Sequence, residues 1–179
     1  MQARIPVPGY YVAAYLAGAV SVKAPAAPMT NTGVAGIESV LESNNTFSDK
    51  QLDIIAGGGT WVLEQRAPFA IFNRHQLSTD ATTVQTRELS LTTQIDFVSK
   101  FLRELVSPLI GRFVIDDNFI GQLSAALNGG AETMVERGIV RDLQIVRVFQ
   151  DELNPDTMKA EFSLLPLYPL NYINITITF

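Results

Sequence analysis

Residues 143–164 read LQIVRVFQDELNPDTMKAEFSL, in which two β-prone runs stand on either side of a polar turn. Alternation of apolar and polar residues predicts strands at 143–149 and 158–164. Between them, Asn154, Pro155 and Asp156 favour a turn, because Pro fixes one backbone angle while Asn and Asp tolerate the bend. This stretch therefore predicts an antiparallel hairpin near the end of the chain.

Two amphipathic helices are predicted before this hairpin. From Ser90 onward, apolar residues recur at helical spacing on one face: Ile95, Val98, Leu102, Leu105 and Leu109, widened by Phe97 and Phe101. Pro108 should bend or end this helix, because its ring removes a backbone donor. Asp116 or Asp117 can cap the second helix, whose inner face carries Ile120, Leu123 and Leu127. We expect this helix to weaken at residues 128–130, to resume at Met134 and Val135, and to end at Gly138.

The first half of the chain contains shorter elements. A Pro-led helix is predicted from Gly9 to about Leu16, followed by an irregular connector at 23–36 and a short strand at 37–41. Ser48 and Gln51 have the spacing of a capping box, so a helix is expected at 49–56, ended by the glycines at 57–59. Residues 60–65 and 69–73 predict neighbouring strands, and 76–87 is a polar stretch. The order of elements predicts an α+β fold, in which amphipathic helices cover one face of a small, mainly antiparallel sheet.

The last residues of the chain predict a further strand. Apolar side chains alternate with polar ones: Tyr172, Ile173, Asn174, Ile175, Thr176, Ile177, Thr178 and Phe179. An uncharged, β-prone segment at a terminus promotes aggregation unless it is paired. Pro166 and Pro169 favour a directed linker over a tight hairpin. The strand therefore pairs either within its own subunit or with a neighbouring subunit.

Composition excludes several classes of protein. A net charge of −5 without a basic run argues against a general nucleic-acid binder. The chain has no cysteine, which excludes disulfides and thiolate metal sites. The early apolar run is too broken to span a membrane, which takes ~20 residues, although Arg4 and the small residues near Ala26 leave a signal peptide as an alternative. Only 17% of residues are charged, so we expect partners to cover much of the surface.

Candidate catalytic and ligand residues lack the partners that their chemistry needs. His75 is the single histidine, and no nucleophile or orienting acid is spaced to work with it. The AGGGT run at 56–60 follows a helix, so it predicts a helix end and not a phosphate site. Asp116, Asp117 and the acidic residues near Asp151 lack the spacing of a calcium loop. The sequence therefore predicts no catalytic residue, no cofactor and no metal.

The order of these elements resembles the C-terminal region of contractile tail sheath proteins from myovirus-type bacteriophages, prophages and R-type tailocins. The resemblance rests on Gly138, Val140, Asp142 and Leu143 at the start of the hairpin, the turn at 154–157, and the tail at 172–179. The first half agrees more weakly, from Pro8 through the glycines at 57–59. Sheath subunits of this family are longer, with an N-terminal arm and outer domains, so we expect either a fragment or a reduced homologue.

The resemblance implies a structural, non-enzymatic function. Sheath subunits stack as rings around a tail tube, and contraction drives the tube through the host envelope with energy stored in the lattice. The implied division is a core domain at 1–165 and an arm at 166–179, whose strand at 172–179 is exchanged into a neighbour's sheet. The implied partners are copies of the chain, the tail tube protein, and baseplate and tail terminator proteins, without nucleic acid or membrane insertion. The implied location is the virion tail, assembled in the bacterial host cytoplasm.

Charged residues near the end of the second helix are predicted to face the tube: Glu132, Glu136, Arg137 and Arg141. Three alternatives stay open at this point. The chain could be another tail or baseplate component or a type VI secretion sheath subunit, a hydrolase using Asp116, Asp117 or His75, or a secreted and glycosylated adhesion domain.

Overall fold

The computed structural model describes residues 5–40, 47–66 and 70–178 of the chain. The elements follow in the order α1 (Gly9–Ser21), α2 (Asp49–Gly57), β1 (Val62–Arg66), β2 (Ala70–His75), α3 (Val84–Arg87), α4 (Leu89–Val106), a 3-10 turn (Ser107–Leu109), α5 (Asp117–Glu136), β3 (Asp142–Gln150) and β4 (Met158–Leu165). The predicted α+β class is confirmed. The described strands form two separate antiparallel pairs, β1 with β2 and β3 with β4.

The main hydrophobic core lies between α4, α5 and the β3–β4 hairpin. Its buried members come from both helices and the start of β3: Val98, Leu102, Leu123, Leu127, Ala131, Met134, Val140 and Leu143. Gly138 makes the turn from α5 into β3 possible because its φ is +64°, a backbone angle that other residues adopt at a cost. The backbone N–H of Ile139 then donates to the carbonyl of Met134 at 3.0 Å. The predicted end of the helix at Gly138 is thus confirmed.

The buried face of α4 differs from the predicted one. Leu91, Gln94, Val98 and Leu102 are buried on α4, whereas Ile95 is 43% exposed. The predicted inner position of Ile95 is therefore wrong, because the polar Gln94 occupies that place in the stripe. Pro108 falls in the 3-10 turn that ends α4, as predicted.

The second long helix, α5, runs without a break through residues 128–130. The predicted weakening is wrong, because Gly130 lies where α4 approaches most closely. A Cβ built on Gly130 would be 2.7 Å from Cδ2 of Leu105, so only glycine fits this contact without a shift. At the other end, Asp116 caps the helix, and its Oδ1 accepts from the backbone N–H of Phe119 at 2.7 Å.

The β1–β2 pair is completed by the connector before it. The backbone N–H of Val34 donates to the carbonyl of Ile71 at 2.8 Å, and that of Asn31 donates to the carbonyl of Asn73 at 2.7 Å. These bonds cover the outer edge of β2. Residues 37–40 form no strand, so the strand predicted at 37–41 is wrong for these residues, and residue 41 lies outside the described ranges.

In the first half of the chain, local sequence signals correctly predicted where α1 and α2 begin and where α2 ends. The side chain of Gln51 accepts from the backbone N–H of Ser48 at 2.8 Å, which confirms the capping box at the start of α2. Gly59, with a φ of +80°, follows the end of that helix. The first helix begins at Gly9 as predicted but continues to Ser21, and α3, within the polar stretch, was not predicted. Within the described ranges, no helix combines the length and apolar character needed to cross a membrane.

Candidate functional site at the C-terminal segment and the hairpin

The C-terminal segment, residues 166–178, follows β4 without joining any strand of the described chain. Its apolar side chains Ile173, Ile175 and Ile177 are 72%, 81% and 84% exposed. Full burial of such a side chain is worth about 1.5–3 kcal/mol, so this exposure leaves a large gain unused. A third strand within the subunit, one of the two predicted arrangements, is absent from the described residues. Phe179 lies outside them.

The beginning of the C-terminal segment is held against the body of the subunit. Pro166 is buried, and the side chain of Gln94 contacts both backbone groups of Leu167, at 2.8 Å and 3.0 Å. Farther along, the ring of Tyr172 meets that of His75 edge-on, with 6.1 Å between centroids. The segment therefore has a beginning that is bonded to the subunit and an exposed end.

The β3–β4 hairpin has open edges. In the described chain each of its strands pairs only with the other, so each has one edge whose backbone groups belong to no ladder. A change of register between Ile145 and Arg147 marks a bulge in β3. Open strand edges are the surfaces to which an extended segment from another chain can add.

Two ion pairs link the two sides of the hairpin. Arg147 donates to both carboxylate oxygens of Glu161, at 2.8 Å and 2.7 Å, and this bond lowers the pKa of Glu161. Lys159 lies 2.7 Å from Oδ2 of Asp151, and its hydrogen bond lowers the pKa of that carboxyl below the ordinary range. Arg147 and Glu161 are both exposed, and such a pair stabilises little, whereas Asp151 is largely buried. Their charges do discourage indiscriminate pairing of the hairpin edges.

The four residues predicted to face the tube are all exposed. Glu132 and Glu136 belong to α5, and Arg137 and Arg141 lie between α5 and β3. Two acidic and two basic side chains are therefore exposed within residues 132–141. Their contact with a tube stays a prediction.

A polar cavity of about 550 Å³ lies beside β2 and the C-terminal segment, and its lining includes Arg74, His75 and Tyr172. Arg74 contacts Asp53 at 2.7 Å, which raises the pKa of the guanidinium. Nε2 of His75 lies 2.8 Å from Oε1 of Glu88, whose side chain is fully buried. Because the carboxylate of Glu88 is buried, a substrate in this cavity would not reach it.

The residues proposed for hydrolysis have structural partners. Asp116 caps α5, and Asp117 is its first residue. His75 bonds instead to the buried Glu88. Among residues 5–40, 47–66 and 70–178, no three metal-ligating side chains of the His, Asp or Glu type come together.

An apolar groove of about 590 Å³ is bordered by the ends of α4 and α5 and by β4. Phe113 and Phe119 stack in it with centroids 5.4 Å apart, and Leu123 and Phe162 complete its floor. The groove opens beside residues 156–160, at the start of β4. It offers apolar side chains a place to bind next to the hairpin.

Three buried amide side chains were not foreseen from the sequence. Asn73, Gln76 and Gln94 are each at most 1% exposed, and all three bond to segments far away in the chain. One sequence signal could have indicated a buried amide: Gln94 is a polar residue within an apolar helical stripe, between Leu91 and Val98. Such a residue needs a buried partner.

Comparison with known proteins supports the sheath resemblance. The chain is 29% identical over 168 residues to the tail sheath protein of Mycobacterium phage Bxz1, in a match that covers 92% of this chain. The chain spans 28% of the length of that relative. No protein-family model matches the chain.

A solved structure has the same fold. A chain of the anti-feeding prophage baseplate, determined by cryo-EM with 6-fold symmetry, superposes with a TM-score of 0.77 at 12% identity. The match covers 93% of this chain and 48% of that one. The resemblance to contractile tail sheath proteins that the sequence indicated is therefore confirmed by the phage relative, and the baseplate chain shares the fold over nearly the whole length described.

Proposed function

We propose that this chain is a structural subunit of a contractile, phage-type tail sheath, which assembles in many copies around a tail tube. The observation that carries the proposal is the match with a phage tail sheath protein over 92% of the chain. The open hairpin and the unpaired C-terminal segment give that role a physical means of assembly. The location that follows is the tail of the virion.

Assembly in this proposal uses strand exchange. Residues 172–179 of one copy add to an open edge of the β3–β4 hairpin of a neighbour, where backbone hydrogen bonds supply affinity. Alternate side chains then point to one face, so Ile173, Ile175 and Ile177 can leave water together. The apolar groove beside β4 is the surface we assign to them.

Exchange of a covalently attached strand suits a lattice that changes shape. A strand held by a ladder of hydrogen bonds resists separation, while the other contacts between subunits can break and re-form. Contraction then needs no nucleotide at that step, because the driving energy is the difference between two packings of the same subunits. Glu132, Glu136, Arg137 and Arg141 are proposed to face the tube, since exposed charge pairs are weak and easily broken.

A position in the baseplate is the second candidate. The solved structure with the same fold is part of a prophage baseplate, and the two roles differ in the shape of the product. A sheath subunit forms long tubes of stacked rings. A baseplate component forms a single ring or a short stack.

Electron microscopy and light scattering test the proposal. We compare the full chain with one that ends at Tyr172, which lacks the three exposed isoleucines of the C-terminal segment. The full chain is expected to form tubes, rings or sheets, and the shortened chain to stay monomeric. If the two associate equally, strand exchange through this segment is wrong.

A matched pair of substitutions separates strand addition from nonspecific adhesion. Ile175→Asp and Thr176→Asp add the same charge at neighbouring positions but on opposite faces of the added strand. Only Ile175→Asp places that charge among the apolar side chains, so we expect it to abolish assembly while Thr176→Asp changes it little. Equal effects of the two would contradict a strand with a buried face.

A further inference from the structure

One buried side chain of α4 bonds to the C-terminal segment. Gln94 lies on α4 between Leu91 and Val98 and is 0% exposed. Burying an amide without hydrogen bonds is costly, so a Gln in an apolar stripe needs partners that satisfy both ends of its side chain.

Those partners lie 73 residues further along the chain, in the C-terminal segment. Oε1 of Gln94 accepts from the backbone N–H of Leu167 at 2.8 Å, and Nε2 donates to the carbonyl of Leu167 at 3.0 Å. The second proton of Nε2 goes to the carbonyl of Ser90 at 3.0 Å. The amide thus satisfies both backbone groups of Leu167, as a neighbouring strand does.

Contacts on either side of Leu167 define how far the attachment extends. Pro166 is buried, and the hydroxyl of Tyr168 accepts from Nε2 of Gln85 at 3.3 Å. Asn171 and Tyr172 line the polar cavity next to His75. The side chains of Leu170 and Tyr172 are 76% and 71% exposed, much like the isoleucines that follow, so the attachment of this stretch consists of the contacts named here and not of burial.

We propose that Gln94 is a positioning residue that fixes residues 166–172 to their own subunit, so that the exchangeable strand begins at Ile173 and the added segment proposed above, 172–179, is shorter by one residue. The role in exchange rests on the proposed sheath function, whereas the attachment itself does not. A seven-residue strand, 173–179, reaches about 23 Å at about 3.3 Å per residue. The receiving hairpin must therefore lie within that distance of Tyr172 in the neighbouring copy.

Attachment of residues 166–172 before copies meet also lowers the entropy cost of assembly. Ordering a free segment costs conformational entropy for every residue that becomes fixed. Because residues 166–172 are already fixed in the single subunit, only the strand itself has to be ordered when copies meet. Loss of the anchor lengthens the free segment and raises the concentration of subunits needed for assembly.

Amide hydrogen exchange in the unassembled chain tests the attachment. The full-length Ile175→Asp chain serves as the parent, because it is expected not to assemble. The N–H of Leu167 should be protected in this parent, and Gln94→Ala should speed its exchange by at least about tenfold, which corresponds to the loss of about 1.4 kcal/mol. The N–H of Arg141, bonded to the carbonyl of Leu165 at 2.9 Å, should keep its rate.

Control variants keep the result interpretable. Gln94→Met fills the site with no donor and only a weak sulfur acceptor, and it should release Leu167 as Gln94→Ala does, so a cavity left by Ala cannot account for the effect. Gln85→Ala removes only the exposed contact with Tyr168 and should leave Leu167 protected. The proposal is overturned if the parent exchanges Leu167 as fast as an unstructured peptide, or if both Gln94 variants keep its protection.

A second measurement concerns assembly by chains that carry Ile175. Gln94→Ala and Gln94→Met should raise the subunit concentration at which assembly is half complete by at least about tenfold relative to Gln85→Ala. Unchanged assembly after loss of Leu167 protection would overturn the positioning role. Failure of every chain to assemble would instead count against the sheath function, and the exchange rates of Leu167 would still decide the attachment.

Discussion

The contact between α4 and α5 at Gly130 allows a quantitative test of the packing. A Cβ at this position would lie 2.7 Å from Cδ2 of Leu105, 3.4 Å from Cε1 of Phe101 and 3.5 Å from Cδ2 of Leu102. Attractive carbon contacts lie at about 3.5–4.0 Å, so the first of these distances is short by roughly 0.8 Å. Gly129, one residue earlier in the same helix, has nothing within 4 Å of its Cβ position.

Alanine substitutions at the two glycines should therefore differ in sign. In a helix interior, Gly→Ala gains about 1 kcal/mol from helix propensity. Gly129→Ala should show this gain in full. Gly130→Ala has the same gain, offset by about 1–3 kcal/mol for the extra methyl in a filled space, which gives a net change from about zero to a loss of about 2 kcal/mol. The difference between the variants isolates the packing cost, about 1–3 kcal/mol.

Urea unfolding followed by circular dichroism measures this difference in the free energy of unfolding. In a thermal scan, a change of 1 kcal/mol shifts the Tm of a chain of this size by about 2–4 °C, so the two variants should melt about 2–12 °C apart. If Gly130→Ala is stabilised as much as Gly129→Ala, the close approach of Leu105 to α5 is wrong. If replacing Leu105 by Ala in the Gly130→Ala chain restores stability, Leu105 is the group that clashes with the added methyl.

Two further predictions concern the core and the hairpin. Met134 is 0% exposed, whereas Ile54 is 76% exposed. Met134→Ala should lower the free energy of unfolding by about 2–5 kcal/mol, and Ile54→Ala should change it by no more than about 0.5 kcal/mol; similar urea midpoints for the two would contradict the described core. The pKa of Asp151 is lowered by its hydrogen bond from Lys159, so its stabilisation is present above the unfolded value of about 3.9 and is lost as the pH falls through the lower folded value. Asp151→Asn should therefore be less stable than the parent at neutral pH and lose less stability on acidification. Urea titrations at a series of pH values measure both effects. If the free energies of unfolding of the two chains fall in parallel with pH, ionised Asp151 is not the source of the stabilisation.

Local patterns were enough to predict much of the fold. The hairpin predicted at 143–149 and 158–164 corresponds to β3 and β4, with ends that differ by one residue. The capping box at Ser48 and the helix ended by Gly138 depend on neighbouring residues alone, so the sequence contains the whole signal. The sheath resemblance rested on the order of such elements, and the comparison with a phage sheath protein confirmed it.

Contacts between distant segments could not be predicted in this way. The partner of Gln94 lies 73 residues away, so helical periodicity placed Ile95 on the inner face instead. Gly130 was interpreted as a weak point because helix propensity is a local property, whereas the approach of Leu105 is a tertiary one. The exposed end of the C-terminal segment could be predicted as a strand by alternation, but its partner lies outside the single chain.

Long-range hydrogen bonds to the first part of the chain also imply an order of folding. The N–H of Met29 bonds to Gln76, 47 residues later, and the carbonyl of Pro25 accepts from Thr93, 68 residues later. Such bonds form late, because the chain between them must first close a long loop, whereas the β3–β4 hairpin closes locally. During synthesis on the ribosome, the first half is therefore made early but completed only after α4 has emerged. We expect its backbone to stay open to chaperones and proteases during that interval.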